Sequence, residues 1–162
     1  MTDPVSFPSA TPRHALPMLF TAQAQKEITV NESLLAADVL LQPVVEGIAT
    51  TPPASPVRGQ CWIVGNAATG AFSGHDSQIA AWSDSGWRFF APMPGARVHD
   101  QGLGAERFYI GTWQRSVAPA TPTGGTVVDT QARSAIAAII QLLTTSGTFS
   151  RSEEHTSELQ SH

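Results

Sequence analysis

The sequence is poor in cysteine, in charge and in long apolar runs, and each shortage excludes a class of protein. Its single cysteine, Cys61, excludes an intramolecular disulfide. Charged residues make up 14% of the chain and the net charge is −4, so we expect no basic surface for nucleic acid. No run approaches the roughly 20 apolar residues that cross a membrane, and we identify no signal peptide. The sequence therefore predicts neither a nucleic-acid partner nor a membrane partner.

Patterns that carry catalysis or metal binding are also missing. The two His-Asp neighbours, at 75–76 and 99–100, would point to opposite faces of a strand, which argues against a direct dyad. The chain has no Gly-x-Ser-x-Gly elbow, no CxxC or HxxxH spacing and no glycine-rich phosphate loop. We therefore predict a protein that is not an enzyme, with no catalytic residue, no metal site and no cofactor.

The aromatic residues concentrate in the middle of the chain, where they mark a β domain over residues 58–114. Two apolar runs, at 79–82 and 87–90, flank the polar turn Ser83-Asp84-Ser85-Gly86, a pattern typical of a β-hairpin. The other strands of this domain are expected at three places: 60–65, 97–99 and 108–112.

Helices are predicted on both sides of the β domain. The first has good helix formers from Thr21 to Gln42 and ends before Pro43. The second begins after Asp129, a suitable N-cap. We therefore predict an α+β fold with an N-terminal helix, a small antiparallel domain of β-hairpins or a meander, and a C-terminal amphipathic helix. Its segments are an extended arm, the first helix, the β domain, a linker and the second helix: 1–20, 21–46, 58–114, 115–128 and 129–145.

Apolar residues recur at helical spacing in both helices, and two interpretations of these stripes stay open. In the first, each helix packs on the sheet of its own chain. In the second, the helices associate between copies of the chain, and Asn31 sets their register as buried asparagines do in coiled coils. The second interpretation predicts a homo-oligomer whose interface contains Asn31, Leu34, Leu41, Ile136 and Ile140.

The aromatic residues of the β domain also have two interpretations. Their rings either form the core of the domain or lie exposed, where they stack on sugars beside a carboxylate in a turn. The residues of this candidate ligand site are Trp82, Trp87, Asp100, Tyr109 and Trp113.

The last twelve residues, 151–162, differ in composition from the rest of the chain. They hold three glutamates and two of the five histidines, and they show no periodic apolar face. They resemble a sequencing-library adapter translated in frame, so we exclude them from functional interpretation. A genuine tail is the alternative, and a natural continuation past Ser150 is left open.

Four runs of the sequence, in the same order, resemble a bacterial and phage family called domain of unknown function 2793. The resemblance covers nearly all of residues 14–143, and its runs are AQAQKEITVNESLLAADVLLQ, GQCWIVG, ATGAFSGHDSQIAAWSDSGWRFFAPMPGARVHD and VVDTQARSAIAAII. Such domains occur in prophages and gene-transfer-agent clusters, in tail- or spike-associated proteins. The resemblance therefore implies a non-catalytic structural or attachment module of a phage-derived virion.

The resemblance also implies partners and a location. The expected partners are other virion, tail or spike proteins. The expected location is the virion, or the bacterial cytoplasm before assembly. The alternative function is a glycan-binding module whose exposed aromatic rings bind cell-surface polysaccharide.

Overall fold

The described part of the chain contains two α-helices that flank eight strands. The computed structural model describes residues 10–19, 26–125 and 129–150, so the predicted tail at 151–162 lies outside the described residues. The elements in chain order are α1 (Lys26–Leu40), β1 (Val44–Val45), β2 (Ile48–Ala49), β3 (Cys61–Val64), β4 (Ile79–Ser83), β5 (Gly86–Phe90), β6 (Arg97–Asp100), β7 (Ala105–Tyr109), β8 (Trp113–Arg115) and α2 (Thr130–Thr145). The predicted α+β class is confirmed.

The strands form two four-stranded sheets that follow the same plan. Their orders are β1-β6-β7-β8 and β2-β3-β4-β5. In each sheet a two-residue strand runs parallel to the first strand of a three-stranded antiparallel meander. The register also repeats, because Val45 pairs with the last residue of β6 and Ala49 pairs with the last residue of β3. One short segment, 44–49, thus supplies the parallel strand of both sheets.

Both faces of the sheet β2-β3-β4-β5 contribute buried residues, since alternate residues of its strands point to opposite sides. One side contributes to a central core, which also receives residues from α1, β1 and β6. The buried residues of this central core are Val39, Val45, Cys61, Ile63, Ile79, Ala81 and Val98. On the other side, Val64 and Ala80 are buried under Phe72, which a short 3-10 turn at Gly70–Phe72 presents from the loop after β3.

The N-terminal arm is fastened to α1 by a buried carboxylate. Asp38 is 0% exposed. Its Oδ1 accepts hydrogen bonds from the Thr11 hydroxyl at 2.7 Å and the His14 backbone N–H at 2.6 Å, and its Oδ2 accepts one from the Arg13 N–H at 2.9 Å. The arm also turns back on itself, since Ala10 and Pro17 form an antiparallel bridge. The described part of the predicted extended arm is therefore an integral part of the fold.

The first helix ends earlier than predicted. It stops at Leu40, and Val44, which the prediction placed in a helical segment reaching residue 46, lies in β1. Proline at 43 disfavours a helical residue before it, and the Arg13 guanidinium donates to the carbonyls of Val39 at 3.3 Å and Gln42 at 2.7 Å at the helix end. The first strand of the sheets therefore begins at residue 44, whereas the β domain was predicted to begin at residue 58. Residues 21–25 of the predicted helix lie outside the described residues.

The β4–β5 hairpin and the second helix follow the sequence pattern closely. The return strand of the second hairpin lies at Ala105–Tyr109 and not at the predicted 108–112, because residues 110–112 form the connection to β8. Trp82 lies opposite Trp87 in the β4–β5 hairpin, and β6 pairs with β7 in the second hairpin. Asp129 caps α2, since its carboxylate accepts a hydrogen bond from the Ala132 N–H at 2.9 Å. Within the described ranges, no helix has the length and apolar composition that crossing a membrane requires.

Candidate functional site

The outer side of the sheet β2-β3-β4-β5 carries a cluster of aromatic rings, which we call the aromatic face. It consists of Trp62, Phe72, Trp82, Trp87 and Phe89. The ring of Trp87 lies at its centre, with centroids 5.6 Å from Trp62, 4.8 Å from Phe72 and 5.0 Å from Trp82. All three contacts are edge-to-face, the arrangement that the charge distribution of aromatic rings favours. The rings of the aromatic face therefore stabilise one another.

Phe72 packs in the aromatic face over Ala80, whose small side chain leaves space for the ring. Ala80 lies opposite Trp62 on one side and Phe89 on the other. Phe72 belongs to the same buried cluster as Ala80 and is 0% exposed, whereas the other four rings are half-buried. The aromatic face is therefore partly core and partly accessible surface, which combines the two interpretations of the sequence.

A histidine extends the aromatic face. The ring of His75 stacks on Phe89 with centroids 3.6 Å apart and planes 5° from parallel. Its Nδ1 lies 3.1 Å from the Gln78 Oε1. The sequence interpretation did not include Trp62, Phe72 or His75 in a site. The position of Trp62 could have been found from strand alternation, since its neighbours at 61 and 63 are core residues.

The structure divides the five predicted ligand residues between the two sheets. Trp82 and Trp87 belong to the aromatic face, whereas Tyr109 and Trp113 lie on β7 and β8 with their rings 5.3 Å apart. Trp113 packs against the central core, and its indole N–H donates to the Ser77 carbonyl at 2.8 Å. Trp113 therefore links the loop before β4 to the other sheet.

Asp100 is not the solvent-side residue that its place in a turn predicts. It is 1% exposed, and its Oδ2 accepts a hydrogen bond from the Arg107 guanidinium at 2.6 Å. Its Oδ1 accepts a second from the Leu103 N–H at 3.0 Å. The prediction of an accessible carboxylate is wrong here, because a cation from the adjacent strand neutralises Asp100 inside the fold.

The residues predicted for an oligomer interface lie in different environments. The Asn31 side chain pairs with the arm, since its Oδ1 accepts from the Leu19 N–H at 2.9 Å and its Nδ2 donates to the Leu19 carbonyl at 3.1 Å. Leu34 and Ile140 are half-buried, whereas Leu41 and Ile136 are exposed. An intermolecular role for these residues stays a prediction, and the amide of Asn31 already has partners within the chain.

Cys61 is buried in the central core, and burial raises the pKa of its thiol from 9.0 to about 11 against the opposing effect of the nearby Arg13 cation. The folded state thus favours the neutral thiol. We expect Cys61 to resist maleimide at neutral pH and to react once the chain is unfolded. The stability that the neutral thiol contributes should be present below pH 9.0 and lost as the pH rises towards 11. Rapid labelling of the folded protein at neutral pH would contradict this assignment.

In the described ranges, no group of three or more acidic, histidine or cysteine residues is arranged to hold a metal ion. The charged pairs that do form are structural, as in the Arg88 guanidinium of β5, which binds the Glu32 carboxylate of α1 at 2.9 Å. The most site-like features are therefore surfaces: the aromatic face and the exposed helix α2.

Fold and surfaces together define a small two-sheet α+β domain with an aromatic outer face and a projecting C-terminal helix. The chain belongs to the family described as Protein of unknown function (DUF2793), whose model matches residues 30–114. The matched range begins inside α1 and ends inside β8, so it contains β1 to β7 and most of β8 and leaves α2 outside. No curated protein matches the sequence.

Proposed function

We propose that the chain is a non-catalytic structural module of a phage-derived virion, where it attaches to or spaces a tail fibre or spike. The observation that carries the proposal is the helix α2, none of whose residues is buried although its sequence is mainly apolar. An exposed apolar surface of this kind typically marks a site where another protein binds. The resemblance to a family found in tail- and spike-associated proteins supports the same role.

The arrangement of the remaining polar groups supports a structural role rather than chemistry. Among the described residues, the buried carboxylates Asp38 and Asp100 each accept hydrogen bonds that hold one part of the fold to another. The thiol of Cys61 is held neutral in the central core. These groups fasten the arm, the turn after β6 and the sheets, and they leave binding to the exposed apolar and aromatic surfaces.

The proposal is tested in a bacterial strain that carries the gene in a prophage. Particles are induced, purified on a density gradient and analysed by mass spectrometry and by immunogold labelling for this chain. We expect the chain in the particle fraction, with other virion, tail or spike proteins, and gold at the tail or spike. Particles from a strain lacking the gene are the control. Intact particles that never contain the chain would overturn the proposal.

A glycan-binding module is the second candidate, and the half-buried Trp82 beside Trp87 favours it. The polar turn of the β4–β5 hairpin lies next to Trp82 and carries Asp84, which pairs with the Arg58 guanidinium at 2.9 Å. An accessible indole beside charged groups is suited to stacking on a sugar ring while hydroxyl groups find polar partners.

Trp82→Ala tests this second candidate. We expect host cell-surface polysaccharide to change the tryptophan fluorescence of the original protein. We expect Trp82→Ala to lose this response and to keep a cooperative thermal transition, at a lower melting temperature because the edge-to-face contact with Trp87 is lost. Trp113→Phe is the matched control, because it removes a tryptophan from the other sheet and leaves the aromatic face intact. Fluorescence of the original protein that does not respond to polysaccharide would exclude the glycan function.

A further inference from the structure

The helix α2 has an apolar face that its own chain leaves largely exposed. Arg133 is its single charged residue among sixteen. None of its residues is buried, and Ile136, Ile139 and Leu142 are 41%, 56% and 66% exposed. The isoleucines and leucines of α2 lie on one broad face of the helix, and such an apolar face is normally packed against protein. Its own chain provides little of that packing in the described residues.

The attachment of α2 to the domain lies at its C-terminal end. The Gly147 carbonyl accepts a hydrogen bond from the Glu106 N–H of β7 at 2.8 Å. Ser150 forms a parallel bridge with Val117, and its N–H donates to the Ser116 carbonyl at 2.9 Å. The residues that follow α2 are therefore hydrogen-bonded beside the sheet β1-β6-β7-β8, and they fix the point at which the helix is attached to the domain.

We propose that α2 is covered by the α2 helices of further copies of this chain, in a parallel bundle of three or four helices. Ala132, Ile136, Ile139 and Leu143 follow one another at spacings of four, three and four residues, which is the spacing of a coiled-coil seam. A coiled-coil seam alternates two core positions of the seven-residue repeat, and here Ile136 occupies one and Ile139 the other. Isoleucine at both core positions favours bundles of three or four helices over two. The partner that covers the apolar surface of α2 is thus another copy of this chain.

The distribution of charge suits self-association. In a parallel bundle each residue lies beside its counterpart, so any charge on the seam would face a like charge. The guanidinium of Arg133 is instead bound within its own chain, where it donates to the carbonyls of Pro122 and Gly124 in the linker before α2. Copies of α2 therefore meet without repulsion.

The same composition argues against a membrane as the occupant. With sixteen residues, α2 is shorter than the helix of about 20 residues that spans a bilayer. A helix that lies on a membrane surface usually has several lysines or arginines on one face and bulky aromatic anchors on the other. The residues of α2 include one arginine and no aromatic residue.

This inference deepens the proposed structural role, because it names the partner of α2 as a second copy. Self-association is measured on the purified chain alone, without other virion proteins. Failure of self-association and failure of the chain to enter virions are therefore separate results.

The test measures the molar mass of the full chain by light scattering and sedimentation, with two variants that each add one carboxylate to α2. Ile139→Glu puts the charge on the seam, whereas Gln141→Glu, the matched control, puts it on the opposite side of the helix. We expect three or four chain masses for the original protein and for Gln141→Glu, and one chain mass for Ile139→Glu. The near-UV circular dichroism should be the same for all three, because all four tryptophans lie outside α2.

Two variants, each with one added cysteine, test the parallel register of the bundle independently of stability. Under mild oxidation we expect Ile139→Cys to form disulfide-linked chains and Gln141→Cys to remain unlinked, while the buried Cys61 takes no part. The proposal is overturned if the original protein has one or two chain masses, if both glutamate variants keep the same mass, or if both cysteine variants cross-link equally.

Discussion

Replacing Asp38 by alanine is expected to lower the free energy of unfolding by about 3–5 kcal/mol, since a hydrogen bond to a charged group contributes about 1.5–3 kcal/mol, and the buried bond of the Thr11 hydroxyl contributes more than the two part-buried N–H bonds. The Thr11 hydroxyl and the N–H groups of Arg13 and His14 would all lose their acceptor. Because these donors belong to the N-terminal arm, the arm should also detach from α1. Denaturant unfolding followed by tryptophan fluorescence measures the first effect, and trypsin cleavage after Arg13 measures the second.

Two further variants separate the role of this carboxylate from a general loss of stability. Thr11→Val removes one of the three donors and keeps the side-chain volume, so we expect a loss of about 1.5–3 kcal/mol, in the range for one bond to a charged group. Asp38→Asn keeps one acceptor oxygen and should fall between the original protein and alanine. Equal trypsin cleavage after Arg13 in the original protein and in Asp38→Ala would show that the carboxylate does not hold the arm.

Replacing Phe72 by alanine is expected to destabilise the protein by about 3–5 kcal/mol, the usual cost of removing a buried phenylalanine ring. The ring is 0% exposed and makes edge-to-face contacts with Trp87 at 4.8 Å and Phe89 at 6.0 Å. Its loss should open a cavity over Ala80 and change the near-UV circular dichroism, because the environment of Trp87 changes. Thermal and denaturant unfolding provide the measurement.

Met93→Ala is the control for this experiment, because Met93 is a large apolar residue that is exposed. A surface change of this kind is expected to alter stability by no more than about 0.5 kcal/mol. If Phe72→Ala were as mild as Met93→Ala, the loop after β3 would not be part of the core. The aromatic face would then be an open surface, which would strengthen the glycan-binding candidate.

Elements that depend on neighbours in sequence could be predicted. The β4–β5 hairpin follows from two apolar runs around a short polar turn, and Gly86 at the end of this turn has a φ of 95°, which favours glycine. The α2 helix follows from an N-cap residue and an apolar spacing near 3.6. In both cases the residues that form the element carry its pattern within a dozen or so positions.

The parallel strands β1 and β2 could not be predicted, because two residues are too few to show a period. Val45 and Ala49 pair with residues that lie 55 and 15 positions further along the chain, Asp100 and Val64. The repeated plan of the two sheets is hidden for a related reason. Equivalent strands carry different residues, as in CWIV of β3 and RVHD of β6, because their outer faces have different neighbours.

The sequence by itself determined the α+β class, the β4–β5 hairpin, the start of α2 and the family resemblance, since each depends on local spacing and residue type. Only the tertiary structure decided which aromatic residues share a face and which carboxylates are buried. Asp100 has the local pattern of an exposed turn residue, yet Arg107 on the next strand gives it a partner inside the fold. Burial is a property of the surroundings, and those surroundings come from distant segments that no local pattern describes.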